Sequence, residues 1–540
     1  MTMLTRTLTL LLCLMALAAT AQPDLPTDNV EVVRDFEAQL EEAQRLPTAP
    51  TLPALDTTSV RLTYNVQPYA VRGIEYAAPT LRPLPMKPDP LPEAYTFYGR
   101  LGYGTLSMPY AELDYHMGRA DNYAFGARGK YYSMSGDLPN QEMSLLDLDL
   151  DGTYYLESGL GVSGRLGFES EGRNFYAVNF PDTLSDGTPV SEDIIEQRFT
   201  TIDLGVQLFN SSVNVGDINY KVGLDFYRLG DSYDAAETGV NAYLDATKYT
   251  EANHELNLVV RNDFANFNDT ASQGNNVLTI NPSYVFKSEA FYLRGGLNLV
   301  LDQEDFRFFP DVEAGYDILK GQVVAFVGWA GDVHRNTYRN LTDYNPFLRS
   351  TLDIDNTAIN HIYGGVRGKI TGLTYELVLG NKSTDNLAVF LNDTTSRRFD
   401  VAYDDANIFN VHANLEWAIN KQLQFFGAVD FNTYSMDSLA AAFHLPYFYL
   451  NTGVRYQLLE NRLRLNASLT TMDGVDFLAS DGSIGETDGL VDVNLGGEYW
   501  FTPKVAAFVQ LNNVTNNTRE RWVNYPNLGF NALFGVTAKF

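Results

Sequence analysis

Cysteine is almost absent from this chain: one residue, Cys13, among 540. Its position explains it. Arg6 gives a positive start, Leu8 to Ala18 a short apolar core, and Ala19-Thr20-Ala21 small residues before Gln22, the pattern of a cleaved signal peptide. Leu12 precedes Cys13 within that apolar core, where lipid attachment needs a small residue near the core's end, so lipoprotein processing is not expected. Removal of residues 1–21 leaves no cysteine, which excludes thiol catalysis, disulfides and cysteine-based metal sites. Long apolar runs are also missing. No stretch beyond the signal holds ~20 consecutive apolar residues, so no transmembrane helix is expected. Basic charge is short, with 38 Lys and Arg against 67 Asp and Glu and a net charge of −29, which argues against a nucleic-acid partner and chiefly favours solvation. The six histidines (116, 254, 334, 361, 412 and 444) contain no pair at metal-ligand spacing. No metal or cofactor is expected, and no Gly-rich phosphate loop of useful length is present.

What the chain has in quantity is aromatic and alternating. It carries 33 Tyr, 32 Phe and 4 Trp, residues that favour strands and, for Tyr and Trp, membrane interfaces. From Asn527 to Phe540, the residues Leu528, Phe530, Ala532, Phe534, Val536, Ala538 and Phe540 are apolar, and those between them are mostly polar or small. Strand side chains alternate between faces, so this is a strand with one apolar and one wetter face. The pattern recurs. Leu463, Leu465, Ala467 and Leu469 alternate with Arg464, Asn466, Ser468 and Thr470, and Leu423, Phe425, Val429 and Phe431 alternate with polar partners. Each segment is ~10 residues or longer, the span of a tilted membrane strand.

The connections decide between barrel and sandwich. Short turns at 287–289, 320–321, 371–372, 420–421, 460–461 and 502–503 separate longer polar stretches at 336–359, 386–398, 437–445, 473–487 and 516–527. Short on one side and long on the other is how an outer-membrane barrel meets periplasm and exterior. The predicted architecture is all-β: a transmembrane antiparallel β-barrel of about 22 strands (range 18–24), occupying residues 95–540. Strands are expected to begin near residues 95, 108, 122, 142, 159, 196, 218, 236, 253, 276, 290, 307, 322, 360, 373, 399, 421, 446, 461, 488, 503 and 528.

Residues 22–94 differ from the rest, since twelve of the 22 prolines fall before residue 93. A short helix is predicted from Val30 to Leu46, with Val32 or Val33, Phe36, Leu40 and Ala43 on one face and Pro47 ending it. Beyond it, Pro at 83, 85, 88, 90 and 92 suits a stiff periplasmic tether into the first strand. The segment offers either a handle for other outer-membrane or periplasmic proteins or an amphipathic helix resting on the barrel mouth.

Three motifs invite chemistry. Asp147-Leu148-Asp149-Leu150-Asp151-Gly152 imitates the start of a calcium loop, but Ser158 stands at the twelfth position and Glu157 one place early. As a strand it places Leu146, Leu148, Leu150 and Tyr154 toward lipid and Asp147, Asp149 and Asp151 in a column facing the lumen. Carboxylates ~6.6 Å apart along a strand do not share one ion unaided. They either bias a pore toward cations or pair with Arg and Lys of a neighbouring strand. Gly230-Asp231-Ser232 resembles the nucleophile block of a lipase family but lacks the following Leu and sits at a strand-to-loop junction. An enzyme is not expected. On the last strand, Phe530, Phe534 and Phe540 fit a sorting signal read by the barrel-assembly machinery.

Phe508-Val509-Gln510-Leu511-Asn512-Asn513-Val514-Thr515-Asn516, then Tyr525-Pro526-Asn527-Leu528-Gly529-Phe530 and the closing Phe540, resemble the last two strands of TonB-dependent receptors. The resemblance covers about 36 residues, and the predicted 22 strands extend it across the barrel. It implies a Gram-negative outer-membrane location and solute transport. It also implies a departure, because such receptors carry a plug of well over a hundred residues and only 22–94 would precede this barrel. Val30 to Val33 has a loose likeness to the family's energy-coupling box, as do most Val-rich exported starts. The expected function is transport of a solute across the outer membrane, with the arm or folded-in loops as a partial plug. The alternative is a plug-less structural or partner-binding subunit of an outer-membrane complex. Expected partners are outer-membrane lipid and the barrel-assembly machinery.

Overall fold

The structure, a computed structural model, describes residues 95–118, 122–176, 195–212, 216–250, 254–394 and 396–540. The signal peptide and the helix and Pro-rich arm expected at 1–94 lie outside the described residues. The remainder forms one 22-stranded antiparallel sheet. Each strand pairs with its neighbour in sequence, and the circle closes where Phe97–Gly104 pairs with Asn531–Lys539, Tyr98 opposite Lys539 and Gly104 opposite Leu533. Closure leaves no unpaired edge, the condition for a sheet to reside in hydrocarbon.

Alternation places the side chains. Leu224, Val327, Ile362, Phe534 and Val536 point outward and are exposed on the lipid face, whereas Thr537 and Leu533 on the same last strand are buried inward. The short turns mark the periplasmic end. There Tyr115, Tyr123, Tyr154, Tyr249, Tyr316, Trp417 and Tyr499 form an exposed ring at strand ends, the position of an aromatic interface girdle. Tight reversal at this end needs left-handed backbone: Thr371 and Gly372 turn with φ of 26° and 80°.

Strand starts fall within a few residues of expectation throughout, with two instructive differences. The final strand is Asn531–Lys539, so Phe530 lies just ahead of it. Ala532, expected toward lipid, is buried where the barrel closes, and its N–H and C=O are bonded to Thr105 at 2.9 and 2.8 Å. The polar stretch 386–398 is not wholly a loop. Strands Leu373–Asn392 and Phe399–Ala418 run on, with a register shift between Thr384 and Leu387, and project beyond the membrane as a long hairpin. Polar residues belong in strands once those strands leave lipid.

Candidate functional site: the capped mouth and the polar lumen

The loops at the exterior end do not stand out in solvent. They fold over the mouth, and the reason lies in their sequence: loop 335–356 carries Tyr338, Leu341, Phe347, Leu348 and Leu352, and loop 513–530 carries Trp522 and Tyr525, all buried. These pack with Phe175, Phe199, Phe267, Phe390 and Phe399 from the upper ends of barrel strands into one apolar cluster. Phe347 stacks on Tyr525 at 3.7 Å, and Trp522 meets Phe399 and Phe390 edge-on at 5.3 and 5.4 Å. Fully burying such a side chain is worth roughly 1.5–3 kcal/mol, so the cap is a small hydrophobic core in its own right.

One short helix, Tyr338–Tyr344 (α1), organises it. Thr337 caps the helix, accepting from the Asn340 N–H at 3.1 Å while the Asn340 side chain accepts from the Thr337 N–H at 2.8 Å. Seven residues make too short a helix to persist unaided. Three carboxylates of the barrel wall and its loops hold it. Glu237, buried to 1% exposure, accepts the N–H groups of Tyr338 at 2.7 Å and Arg339 at 3.2 Å, and the Tyr227 hydroxyl at 2.7 Å. Asp231 accepts the Tyr338 hydroxyl at 2.8 Å, the Ser350 hydroxyl and Gln197 at 3.2 Å through one oxygen, and two loop N–H groups through the other. Asp203 takes the Arg339 guanidinium in a fork at 2.8 and 3.2 Å, with that guanidinium 4.8 Å above the Tyr227 ring. Charge-assisted pairs of this kind are the strong ones.

The Gly230-Asp231-Ser232 motif thereby finds its role: Asp231 is a latch for the cap, and the Ser232 hydroxyl accepts from the Arg198 N–H at 3.0 Å. His444 sits deeper in the cap, 2% exposed, with its Nδ1 2.7 Å from the Phe390 carbonyl and its ring stacked 5.5 Å from Trp522. Burial pushes its pKa down to about 4, so it is neutral and Nδ1–H donates. Asp473, in loop 473–489, is pushed the other way by burial, up to about 6, although it accepts N–H bonds from Phe448 and Tyr447 at 3.0 and 3.1 Å.

Below the cap the lumen wall is polar. Asp147, Asp149 and Asp151 lie on the inward face of Glu142–Tyr155, while Leu148, Leu150 and Tyr154 are exposed outward. Arg128 of the neighbouring strand bonds Asp149 and stands 3.9 Å from Asp147. Two members of the column are thus ion-paired, and the three do not converge on one point. Glu313 is the centre of a second network, accepting from Tyr292 at 2.6 Å, Tyr363 at 2.8 Å and Arg367 at 3.1 Å. Phe530, Phe534 and Phe540 are exposed on the opposite, lipid side, with Phe540 beside Phe97 at 6.2 Å. Sequence reasoning missed Asp203, Glu237 and α1, and noticed Asp231 without its part in the cap. The signal it had was the run of aromatics inside stretches that were otherwise polar.

No protein-family model matches the chain, and no curated protein matches it by sequence. Solved structures do match in fold. The ferripyoverdine receptor of the Pseudomonas aeruginosa outer membrane superposes with a TM-score of 0.61 at 13% identity, over 83% of this chain and 72% of the receptor. The barrel has the outer-membrane siderophore-receptor fold. The ferric-catecholate import receptor Fiu of E. coli K12 gives 0.64 at 10% identity, covering 83% and 82%. The siderophore receptor PirA of Acinetobacter baumannii gives 0.61 at 9%, covering 82% and 80%. The receptor likeness read from the last two strands therefore extends to the whole barrel.

Proposed function

We propose that this protein is a gated transporter of the outer membrane, resembling the TonB-dependent receptors, that passes a solute through its lumen when the loop cap opens. One observation carries the reading: a wide barrel with a charged, hydrogen-bonded lumen is covered on the exterior side by a loop cap pinned at Asp203, Asp231 and Glu237. A barrel of this size leaks unless something fills it, and the folded loops cover its exterior mouth. A latch of polar bonds suits a part that moves. A permanent seal is built more simply from apolar contacts alone, because buried carboxylates are costly wherever they lose a partner.

No catalytic role is assigned, in keeping with matched structures that are receptors. Residues 22–94 are read as a periplasmic arm, and Phe530, Phe534 and Phe540 as contacts for the barrel-assembly machinery before they settle against outer-membrane lipid. The test is conductance in planar bilayers. The native barrel should be mostly closed, and Glu237→Ala, which unpins α1, should open it. A folded but silent Glu237→Ala barrel would favour the alternative, a structural or partner-binding subunit whose cap stays shut.

A further inference from the structure

Directly beneath the cap lies a cavity of about 450 Å³ between the lumen wall, the loop 513–530 and the cap residues Tyr176 and Phe347. Its wall is supplied by inward positions of consecutive strands: Tyr449, Thr470, Asp492, Asn494, Asn512 and Asn531. These side chains are already arrayed by one another. Asn494 donates to Asp492 at 3.1 Å and accepts the Asn513 N–H at 2.9 Å, and Asn512 donates to Asn531 at 2.8 Å. Asp492 Oδ1 is buried with no hydrogen-bond partner among the described residues, and a buried acceptor calls for a donor. Charge in the cavity is balanced, Glu142 and Asp492 against Arg173 and Arg521.

Following the same strands toward the periplasm, the inward residues stay polar and uncharged through Ser468, Asn466 and Gln510 and then become basic. Arg100, Arg455 and Arg464 line a second cavity of about 390 Å³. Each guanidinium lies over an aromatic ring: Arg100 at 3.8 Å from Phe508, Arg455 at 4.9 Å from Phe426, and Arg464 at 5.4 Å from Trp500. A guanidinium seated beside a ring keeps N–H donors that can fork a carboxylate. The carboxylate present, Glu498, stands 3.7 Å from Arg464 and already accepts from Trp500 and Thr537, both at 2.9 Å. Arg100 Nε is buried and without a partner among the described residues. The acidic column of Asp147, Asp149 and Asp151 stands on Glu142–Tyr155, three strands round the wall from the strand of Arg100, with Asp147 and Asp149 held by Arg128.

We propose that this wall, from Asp492 and Asn494 down to Arg100, Arg455 and Arg464, is a binding track for an acidic oligosaccharide. The idea rests on the transport reading above and names its solute. Sugar hydroxyls donate and accept at once, which matches amides, a threonine and a half-used carboxylate. A carboxylate on the sugar matches the arginine trio. A peptide fits less well, because an extended backbone finds no open sheet edge to join in this closed ladder.

The test is calorimetric titration of the full-length protein in detergent with trigalacturonate, maltotriose and trialanine. Trigalacturonate should bind about tenfold more tightly than maltotriose, and trialanine should not bind. Arg455→Gln with Arg464→Gln should erase the acidic preference, and Asp492→Asn with Asn494→Ala should weaken both sugars, each variant retaining its heat-modifiable shift on a gel. Equal affinity for the two trisaccharides, trialanine binding, or indifference to both pairs of substitutions overturns the track. Ion conductance through Glu237→Ala separates this from the transport reading. A conducting channel that no trisaccharide binds leaves transport standing without the track, and trigalacturonate binding to a barrel that never conducts leaves the track without transport.

Discussion

Removing the Glu237 carboxylate should open the barrel without unfolding it. In the closed form Glu237 accepts three donors, the Tyr338 and Arg339 N–H groups and the Tyr227 hydroxyl, at 2.7, 3.2 and 2.7 Å. A hydrogen bond to a charged group contributes about 1.5–3 kcal/mol, and bonds sharing one acceptor are not additive. A net loss of about 3 kcal/mol from the closed state is a reasonable sum, equivalent to a shift of about 150-fold toward the open state. In Glu237→Ala the freed N–H groups lie at the first turn of α1 and find water only when the helix lifts, so the penalty falls on the closed form alone. Single-channel recording should show the open fraction rising by up to that factor, and cells should become sensitive to a large hydrophilic antibiotic. The reasoning is refuted if Glu237→Ala keeps its heat-modifiable shift, showing an intact barrel, and yet conducts no more than the native protein.

Four further outcomes follow from the same geometry. Because burial holds His444 near a pKa of about 4, below its ordinary value of 6.5, it contributes cap stability that is complete above pH 6.5 and lost as pH falls toward 4. Asp473 acts oppositely, since a carboxyl raised to about 6 favours the closed form as pH falls through 6. Trp522 fluorescence in thermal melts should therefore show His444→Phe removing the acid-sensitive part and leaving a cap that gains stability on mild acidification. Asp149→Asn breaks a pair with Arg128 that is half exposed to the lumen, so denaturation midpoints should move by less than about 1 kcal/mol. Phe540→Ser should lower the amount of heat-modifiable barrel recovered from the outer membrane several-fold while leaving the melting of assembled barrel nearly unchanged, because the Phe540 ring is exposed toward lipid and meets Phe97 and Lys504 at the surface.

The strands were legible because lipid enforces a period of two on every residue that crosses it. Positions such as Leu148 and Leu150 alternating with Asp149 and Asp151 leave one answer to which face is which. The pairing of the acidic column was legible as far as the choice between a free cation path and an ion pair, and Arg128 decides that choice for Asp147 and Asp149. The cap was not legible. Its contacts join residues as distant as Asp231 and Tyr338, or Tyr176 and Pro526, and no periodicity links them. Loops 335–356 and 513–530 looked polar on average, and what mattered was the minority of aromatics within them. Asp231 was noticed for a catalytic likeness and Glu237 not at all, since a carboxylate that binds backbone N–H groups has no motif.

The separation of cap from ladder determines how such a gate can work. Every crossing strand is hydrogen-bonded to two neighbours, and the circle closes between Phe97–Gly104 and Asn531–Lys539 without any help from the loops. Loop 335–356 begins and ends on adjacent paired strands, Val324–His334 and Thr357–Ile370, so lifting it leaves the sheet intact. Opening therefore costs the cap's contacts, among them the backbone bonds that join Phe347 and Arg349 to Phe399, but no hydrogen bond between neighbouring barrel strands. The apolar cluster contributes most of that cost, but it is non-directional and loses strength gradually as loops slide. The carboxylate pins are directional and fail within an ångström or so. The cluster therefore sets how rarely the mouth opens, whereas Asp203, Asp231 and Glu237 set how sharply it does. A solute that competes for Arg339 or for the Tyr338 hydroxyl would act on the sharp step.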